Sequence, residues 1–213
     1  MTRYAMVIDL NTCVGCNACM TACATENQTP VWKNKWRTYV HDKEIGSAEE
    51  IHRRFFPCLC NHCSNPPCMS VCPTGATFQL ESGIIQVDED FCMGCRARAM
   101  ACPYDARYDV NYSDVREGKQ FYGEEIYRRS QPSVDKCNFC AQRVVLGQEP
   151  ACVETCVGSA RMFGDLDKHD NPVTKMVASG TARPLLAHLG TQPNVYYIDD
   201  LKRIVPCASF TSA

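Results

Sequence analysis

Fifteen of the chain's 17 cysteines fall into four runs. The first is Cys13, Cys16, Cys19 and Cys23, spaced C-x2-C-x2-C-x3-C. The second is Cys60, Cys63, Cys68 and Cys72, followed by Pro73. The third contains Cys92, Cys95 and Cys102, then Pro103, with Arg98 standing where the spacing asks for another cysteine. The fourth is Cys137, Cys140, Cys152 and Cys156. Three thiolates on one tight loop, with a fourth close behind, is the spacing that holds a cubane iron–sulfur cluster. Four such clusters would need one cysteine more than the runs supply, and Arg98 marks the gap.

Two other uses of cysteine fit less well. Disulfides join residues that sit apart, whereas these cysteines are bunched two or three residues from one another and their total is odd. Zinc is the better rival, because C-x2-C pairs are common zinc ligands, and zinc would make the chain a binding or scaffold module. A structural zinc site joins two such pairs across a spacer, however, and does not put three ligands on one loop. The 22 Lys plus Arg nearly balance 24 Asp plus Glu, which argues against nucleic acid or an anionic membrane surface as the main partner. There is no apolar run of about 18 residues to span a bilayer. The opening residues lack the apolar stretch of a secretory signal, and the Arg53-Arg54 and Arg128-Arg129 pairs lie mid-chain, where an export signal does not act.

In two-cluster ferredoxins the last cysteine of each run ligates the other cluster. On that rule Cys13, Cys16 and Cys19 share a [4Fe–4S] cluster with Cys156, and Cys137, Cys140 and Cys152 share one with Cys23. Cys60, Cys63 and Cys68 share a third with Cys102. The last site is left with Cys72, Cys92 and Cys95. Arginine stays protonated and has no lone pair for iron, so Arg98 does not replace a thiolate. Three outcomes follow: a [3Fe–4S] cluster, a corner iron held by water or a carboxylate such as Asp90, or an empty site. A guanidinium beside the cluster would favour the reduced state and raise its potential. Arg98 turned to solvent would leave the missing thiolate unchanged. Cys58 and Cys207 remain, and are expected to be buried free thiols. His62 is expected to pack or hydrogen-bond, and His41, His52, His169 and His188 show no ligand spacing. Gly15 and Gly94 would let backbone N–H groups approach sulfur.

The elements that must position these loops read as an α+β chain of tandem, pseudo-symmetric two-cluster ferredoxin-like units, one inserted in the other. Residues 57–107 form the inserted unit, in which Ala76–Leu80 and Ile84–Val87 flank a Ser-Gly turn as a hairpin. Residues 1–56 plus 108–165 form the outer unit, with strands expected at Tyr4–Ile8 and Arg161–Phe163. Two polar connectors, Thr29–Phe56 and Asn111–Val134, carry Trp32, Trp36, Tyr112, Phe121, Tyr122 and Tyr127. Those aromatics either pack over the cluster lobes or form a partner interface. The proline-bearing residues 166–213 read as an extended C-terminal docking segment.

The segments CVGCNACMTAC, CNHCSNPPCMSVCPTGA, CMGCRARAMACPYDAR and KCNFC…PACVETC, all in order, resemble the four-cluster iron–sulfur subunits of the molybdopterin oxidoreductase superfamily. The closest branch is that of the dimethyl sulfoxide, polysulfide and tetrathionate reductases. The resemblance runs from about Tyr4 to Asp199, and FGDLDKHDNPV and LGTQPNVYYID also look like that branch's ending. It implies a non-catalytic electron-transfer subunit between an integral membrane quinol-oxidising subunit and a molybdopterin catalytic subunit. The Cys72, Cys92 and Cys95 cluster would then face the membrane partner, and the Cys13, Cys16, Cys19 and Cys156 cluster the catalytic one. The nitrate reductase branch also loses one cysteine in the corresponding cluster and holds three irons there. Membrane association through a partner is implied, at the periplasmic face by co-export or at the cytoplasmic face. A formate dehydrogenase or hydrogenase subunit is the alternative within the same class.

Overall fold

The computed structural model of the chain describes residues 2–47 and 50–199. In chain order the first elements are β1 (Tyr4–Asp9), α1 (Ala18–Asn27), β2 (Thr38–Ser47), β3 (Glu50–Leu59) and α2 (Pro67–Ser70). Then come β4 (Thr77–Gln79), β5 (Ile85–Val87), α3 (Ala97–Met100), β6 (Tyr108–Val110), α4 (Tyr112–Tyr122) and β7 (Ser133–Asp135). The last are α5 (Ala141–Val144), α6 (Ala151–Glu154), β8 (Arg161–Asp165), α7 (Pro172–Ala178), β9 (Arg183–Pro184) and β10 (Val195–Ile198). It is a mixed α and β protein.

A four-stranded sheet ordered β8-β1-β10-β9 forms the base. The run Ala5-Met6-Val7-Ile8 is wholly buried because β1 is covered on both faces, which is why it is continuously apolar rather than alternating. Met6 and Ile8 join the core that contains most of the buried cluster cysteines, while Ala5 and Val7 pack with Leu166, Val173 and Ala182 behind the sheet. The expected strands at both ends of the outer unit are therefore antiparallel neighbours, Val7 opposite Met162 and Tyr4 opposite Asp165. The expected hairpin is present too, β4 paired with β5, with Gly83 at φ +78° in its turn.

The residues read as connectors hold more structure than their composition indicated. β2 and β3 form a ten-residue antiparallel ribbon whose outer half is exposed, and Phe56 to Leu59 at its base enter the core. Charged residues on that outer half hide the strand signal. The second connector contains α4, started by a capping box in which Asn111 Oδ1 accepts from the Asp114 N–H and Asp114 Oδ2 from the Asn111 N–H. At its C-terminal end Trp32 packs against Phe121 and edge-on against Tyr122, whose ring stacks on Tyr127, whereas Tyr112 is exposed.

Residues 166–199 do not run extended either. They form α7, β9 and β10, and β10 lies parallel to β1 in the middle of the sheet. Val195 and Tyr197 are fully buried, and the Tyr197 hydroxyl donates to the Pro57 carbonyl at 3.0 Å while its ring stacks on Phe56. Two of its prolines, Pro172 and Pro184, sit at the first position of α7 and on edge strand β9, places where a missing N–H is tolerated. Cys58 is buried but takes part in a disulfide, which corrects the expectation of a free thiol; which cysteines pair leaves no local trace in sequence. Cys207 lies outside the described residues.

Candidate cluster-binding sites

The four cysteine loops share one backbone design. The residue two after the first cysteine of each run is left-handed: Gly15 at φ +67°, His62 at +44°, Gly94 at +69° and Phe139 at +51°. In the fourth run the N–H of that same residue, Phe139, donates to Cys137 Sγ at 3.4 Å. For the non-glycine residues the left-handed conformation costs about 1–3 kcal/mol. His62 and Phe139 hold one another there, their rings stacked at 3.8 Å. His62 Nδ1 accepts from the Ile85 N–H at 3.0 Å, and burial, with Lys136 and Arg107 nearby, pushes its pKa well down. It is the packing and hydrogen-bonding residue expected.

After the run-ending cysteines a second repeat appears. Gly75, Asp105 and Ser159, each three residues on, are left-handed, and an alanine follows at Ala76, Ala106 and Ala160. The Ala160 N–H donates to Cys156 Sγ at 3.2 Å. Next come Thr77, Arg107 and Arg161, each entering or opening a strand.

Cys13, Cys16, Cys19 and Cys156 line one cavity, with Arg161 and Gly15 in its wall. The fourth run gathers differently. Burial raises the Cys23 thiol, and Cys137, Cys152 and Cys140 raise it further. Burial likewise pushes Cys63 up to about 12, with Cys60, Cys102 and Cys68 adding to it. Cys92 and Cys72 pack together with Ala76 and Val134, and the Val134 N–H donates to Cys92 Sγ at 3.4 Å. At Cys72 burial acts upward, but the Thr77 N–H, the Thr74 hydroxyl and Arg98 lower its pKa overall. Asp90 is exposed and accepts from Gln131 at 3.1 Å.

Buried cations stand beside these thiols. Arg107 Nη2 donates to Cys68 Sγ at 2.9 Å, and Arg98 Nη2 lies 2.6 Å from Cys92 Sγ. Arg161 faces Cys152 and Cys19, and Lys136 faces Cys60 and Cys137. Among the described residues none of these four has a carboxylate within ion-pair distance. Arg98 Nε and Arg107 Nη1 are buried with no hydrogen-bond partner. An unpaired buried charge costs several kcal/mol, so the sites as they stand call for an anion. An iron–sulfur core with thiolate ligands is such an anion, and it fits. Nor do any three His, Cys, Asp or Glu side chains among the described residues close on a point that one metal ion would take.

A family profile described as a 4Fe-4S dicluster domain matches residues 51–120 and 121–166. A tetrathionate reductase subunit from Salmonella typhimurium is 42% identical over 200 residues, covering 92% of this chain and 72% of the relative. A selenate reductase subunit from Mesobacillus selenatarsenatis is 38% identical over 214 residues, with 92% and 72% covered. The Hdr-like menaquinol oxidoreductase iron-sulfur subunit 1 of Archaeoglobus fulgidus is 33% identical over 223 residues, with 92% and 82% covered. The chain belongs to the iron–sulfur subunits of the molybdopterin oxidoreductase superfamily.

In this iron–sulfur subunit the cysteine spacing pointed to Arg98 but not to the other buried cations around the thiols. Arg107 and Arg161 do carry a signal in sequence, since each stands five residues after a run-ending cysteine. Arg37, Arg129 and Asp135 carry none. Asp135 accepts from Arg37 Nε at 2.9 Å and the Tyr108 hydroxyl at 2.5 Å, and pairs with Arg129 Nη2 at 2.6 Å. Burial acts to raise its pKa, but Arg129 and Arg37 hold it well below the usual carboxylate range. Arg37 also donates to Asn27 Oδ1, whose amide nitrogen lies 3.6 Å from Cys23 Sγ. The hub thus braces the second cluster site from three distant segments.

Proposed function

We propose that this subunit relays electrons between an integral membrane quinol-oxidising subunit and a molybdopterin catalytic subunit of a respiratory reductase. When bound, its clusters supply reversible one-electron transfer. Cys13, Cys16, Cys19 and Cys156 hold one [4Fe–4S] cluster; Cys23, Cys137, Cys140 and Cys152 a second; Cys60, Cys63, Cys68 and Cys102 a third. Cys72, Cys92 and Cys95 hold a [3Fe–4S] cluster. The 57–107 unit is inserted in the 1–56 plus 108–165 unit, so that the sets form one line.

The exposure of the ligands carries this reading. Cys16 and Cys95 are exposed, one in the first set and one in the last, while the second set is wholly buried. A partner can approach closely only where the protein shell is thin. Exposed apolar residues surround both thin places: Val14 and Val157 at the first, and Phe91, Met93 and Met100 at the last. Contiguous exposed apolar residues mark docking surfaces. Between the ends, Cys19 is among the charges felt by Cys152, and Cys60 among those felt by Cys137. The short α2 spans the gap between the third and fourth sets, with Cys68 in it and Cys72 just beyond.

No helix among the described residues is long and apolar enough to cross a membrane. Association through a membrane partner is part of the proposal. The periplasmic face, reached by co-export with a partner, is the side this reading proposes. Anaerobic purification with the partners tests the whole reading. It should give about 15 irons per chain, as three clusters of four plus one of three. It should also give a three-iron paramagnetic resonance signal when oxidised, and reduction by quinol through the membrane partner. A colourless zinc protein, or a catalytic chain without molybdopterin, would overturn it.

A further inference from the structure

We propose that Arg98 takes the place of the missing iron itself, its guanidinium filling the vacated corner and barring a fourth iron from entering. The inference rests on the reading of Cys72, Cys92 and Cys95 as a three-iron site, and adds what keeps it so.

The backbone presents residue 98 as it presents Cys19. Asn17 and Arg96 stand immediately before α1 and α3 at φ +59° and +61°, and Cys19 and Arg98 are each the second residue of the helix that follows. A side chain at 98 is therefore aimed at the cluster position whatever its chemistry. Arginine reaches further than cysteine, and its guanidinium lies 2.6 Å from Cys92 Sγ. It is 2% exposed, which excludes the solvent-facing arrangement.

Its partners are those of a cation lodged among sulfurs. Nη1 donates to Thr77 Oγ1, Nη2 to Cys92 Sγ, and Nε is left over with no acceptor. Removing one iron from a cubane uncovers three bridging sulfides, which carry negative charge and accept hydrogen bonds. A planar guanidinium with five N–H donors suits that rim, whereas a lysine would offer a single point charge. The neighbouring sites show the same need met differently. Five residues after Cys102 and Cys156, which end their runs, Arg107 and Arg161 provide the buried cation. Five residues after Cys72, the run-ending cysteine assigned to this site, stands Thr77 instead, and Thr77 is the residue Arg98 binds.

The test is iron uptake by the whole protein, purified anaerobically with its partners. Under dithionite the one-electron-reduced three-iron core is neutral. Adding Fe(II) gives the doubly positive cubane core with no further electron, so uptake needs only Fe(II) and a thiol such as dithiothreitol for the fourth site. Wild type should keep its three-iron signal after this treatment and reoxidation. Arg98→Ala should show the signal as isolated and lose it completely after treatment, gaining one iron. Arg98→Cys should lack the signal from the start and contain one iron more than wild type. The signals of the other clusters report whether each variant is folded.

Arg98→Cys that still shows the three-iron signal would mean that the loop, not the arginine, excludes iron, and the proposal would fall. Wild type that converts as readily as Arg98→Ala would overturn the role of Arg98 while leaving the three-iron reading intact. Wild type with about twelve irons and no such signal would overturn both, leaving an Arg98–Cys92 contact in place of a cluster.

Discussion

Replacing Arg107 with Met should lower the potential of one cluster, that of Cys60, Cys63, Cys68 and Cys102, and leave the rest nearly unchanged. Arg107 is buried, and its Nη2 lies 2.9 Å from Cys68 Sγ. Allowing about 4 Å more to reach the centres of charge on either side gives a separation of about 7 Å, at which unit charges interact by about 2.4 kcal/mol at an effective dielectric of about 20. The reduced cluster carries one more negative charge, so the guanidinium stabilises it by that amount. At about 59 mV per 1.4 kcal/mol for one electron, removing the charge shifts the potential down by about 100 mV. Arg107→Lys keeps the charge and loses the N–H to sulfur contact, and should shift by less than half as much. A redox titration followed by paramagnetic resonance, with iron content confirming that every cluster is present, measures both. An unchanged or higher potential in the Met variant would refute the claim that these buried cations are the clusters' counter-charges.

Asp135→Asn should destabilise the protein by about 3–5 kcal/mol, because Arg37 and Arg129 would be left buried beside a neutral amide. The Asp135 pKa is depressed in the fold, so its contribution is complete above the ordinary carboxylate pKa of about 4 and fades only as pH falls through the lowered value. The penalty, read from cluster bleaching in urea, should therefore be the same from about pH 6 to about pH 8. Gly15→Ala and Gly94→Ala should differ sharply. Both glycines have positive φ, but a Cβ at Gly15 would sit 2.3 Å from the Phe55 ring, and at Gly94 it would meet nothing within 4 Å. The first should lose about four irons, whereas the second should keep its iron and cost only about 1–2 kcal/mol of backbone strain. Met93→Asp places a charge on the exposed apolar surface beside Cys92 and Cys95. It should slow reduction by quinol without altering iron content, and normal quinol kinetics would move the membrane partner elsewhere.

Much of the chemistry lay open in the order of residues, because a cluster loop is a local object. Four ligands that must reach one small inorganic core impose their spacing on the chain, and the gap at Arg98 stood out against that spacing. The strand at Tyr4–Asp9 and the hairpin around Gly83 were legible for the same reason, since apolar runs and turn residues act within a few positions. The ribbon of β2 and β3 was not, because its outer half is solvated and charged on both faces. The tail was misread because β10 is held by pairing with β1, nearly two hundred residues away in sequence.

What tertiary structure alone decided is where the charges go. Nothing in the spacing showed that Arg98 is buried against Cys92, that Arg107 reaches Cys68, or that Asp135 draws Arg37 and Arg129 together. Long side chains end several ångströms from their own backbone, so their partners are set by which segments the fold brings near. Sequence determined that the thiols stand in four runs, with Arg98 where the spacing asks for one more. The fold decided that its guanidinium is buried against Cys92 Sγ.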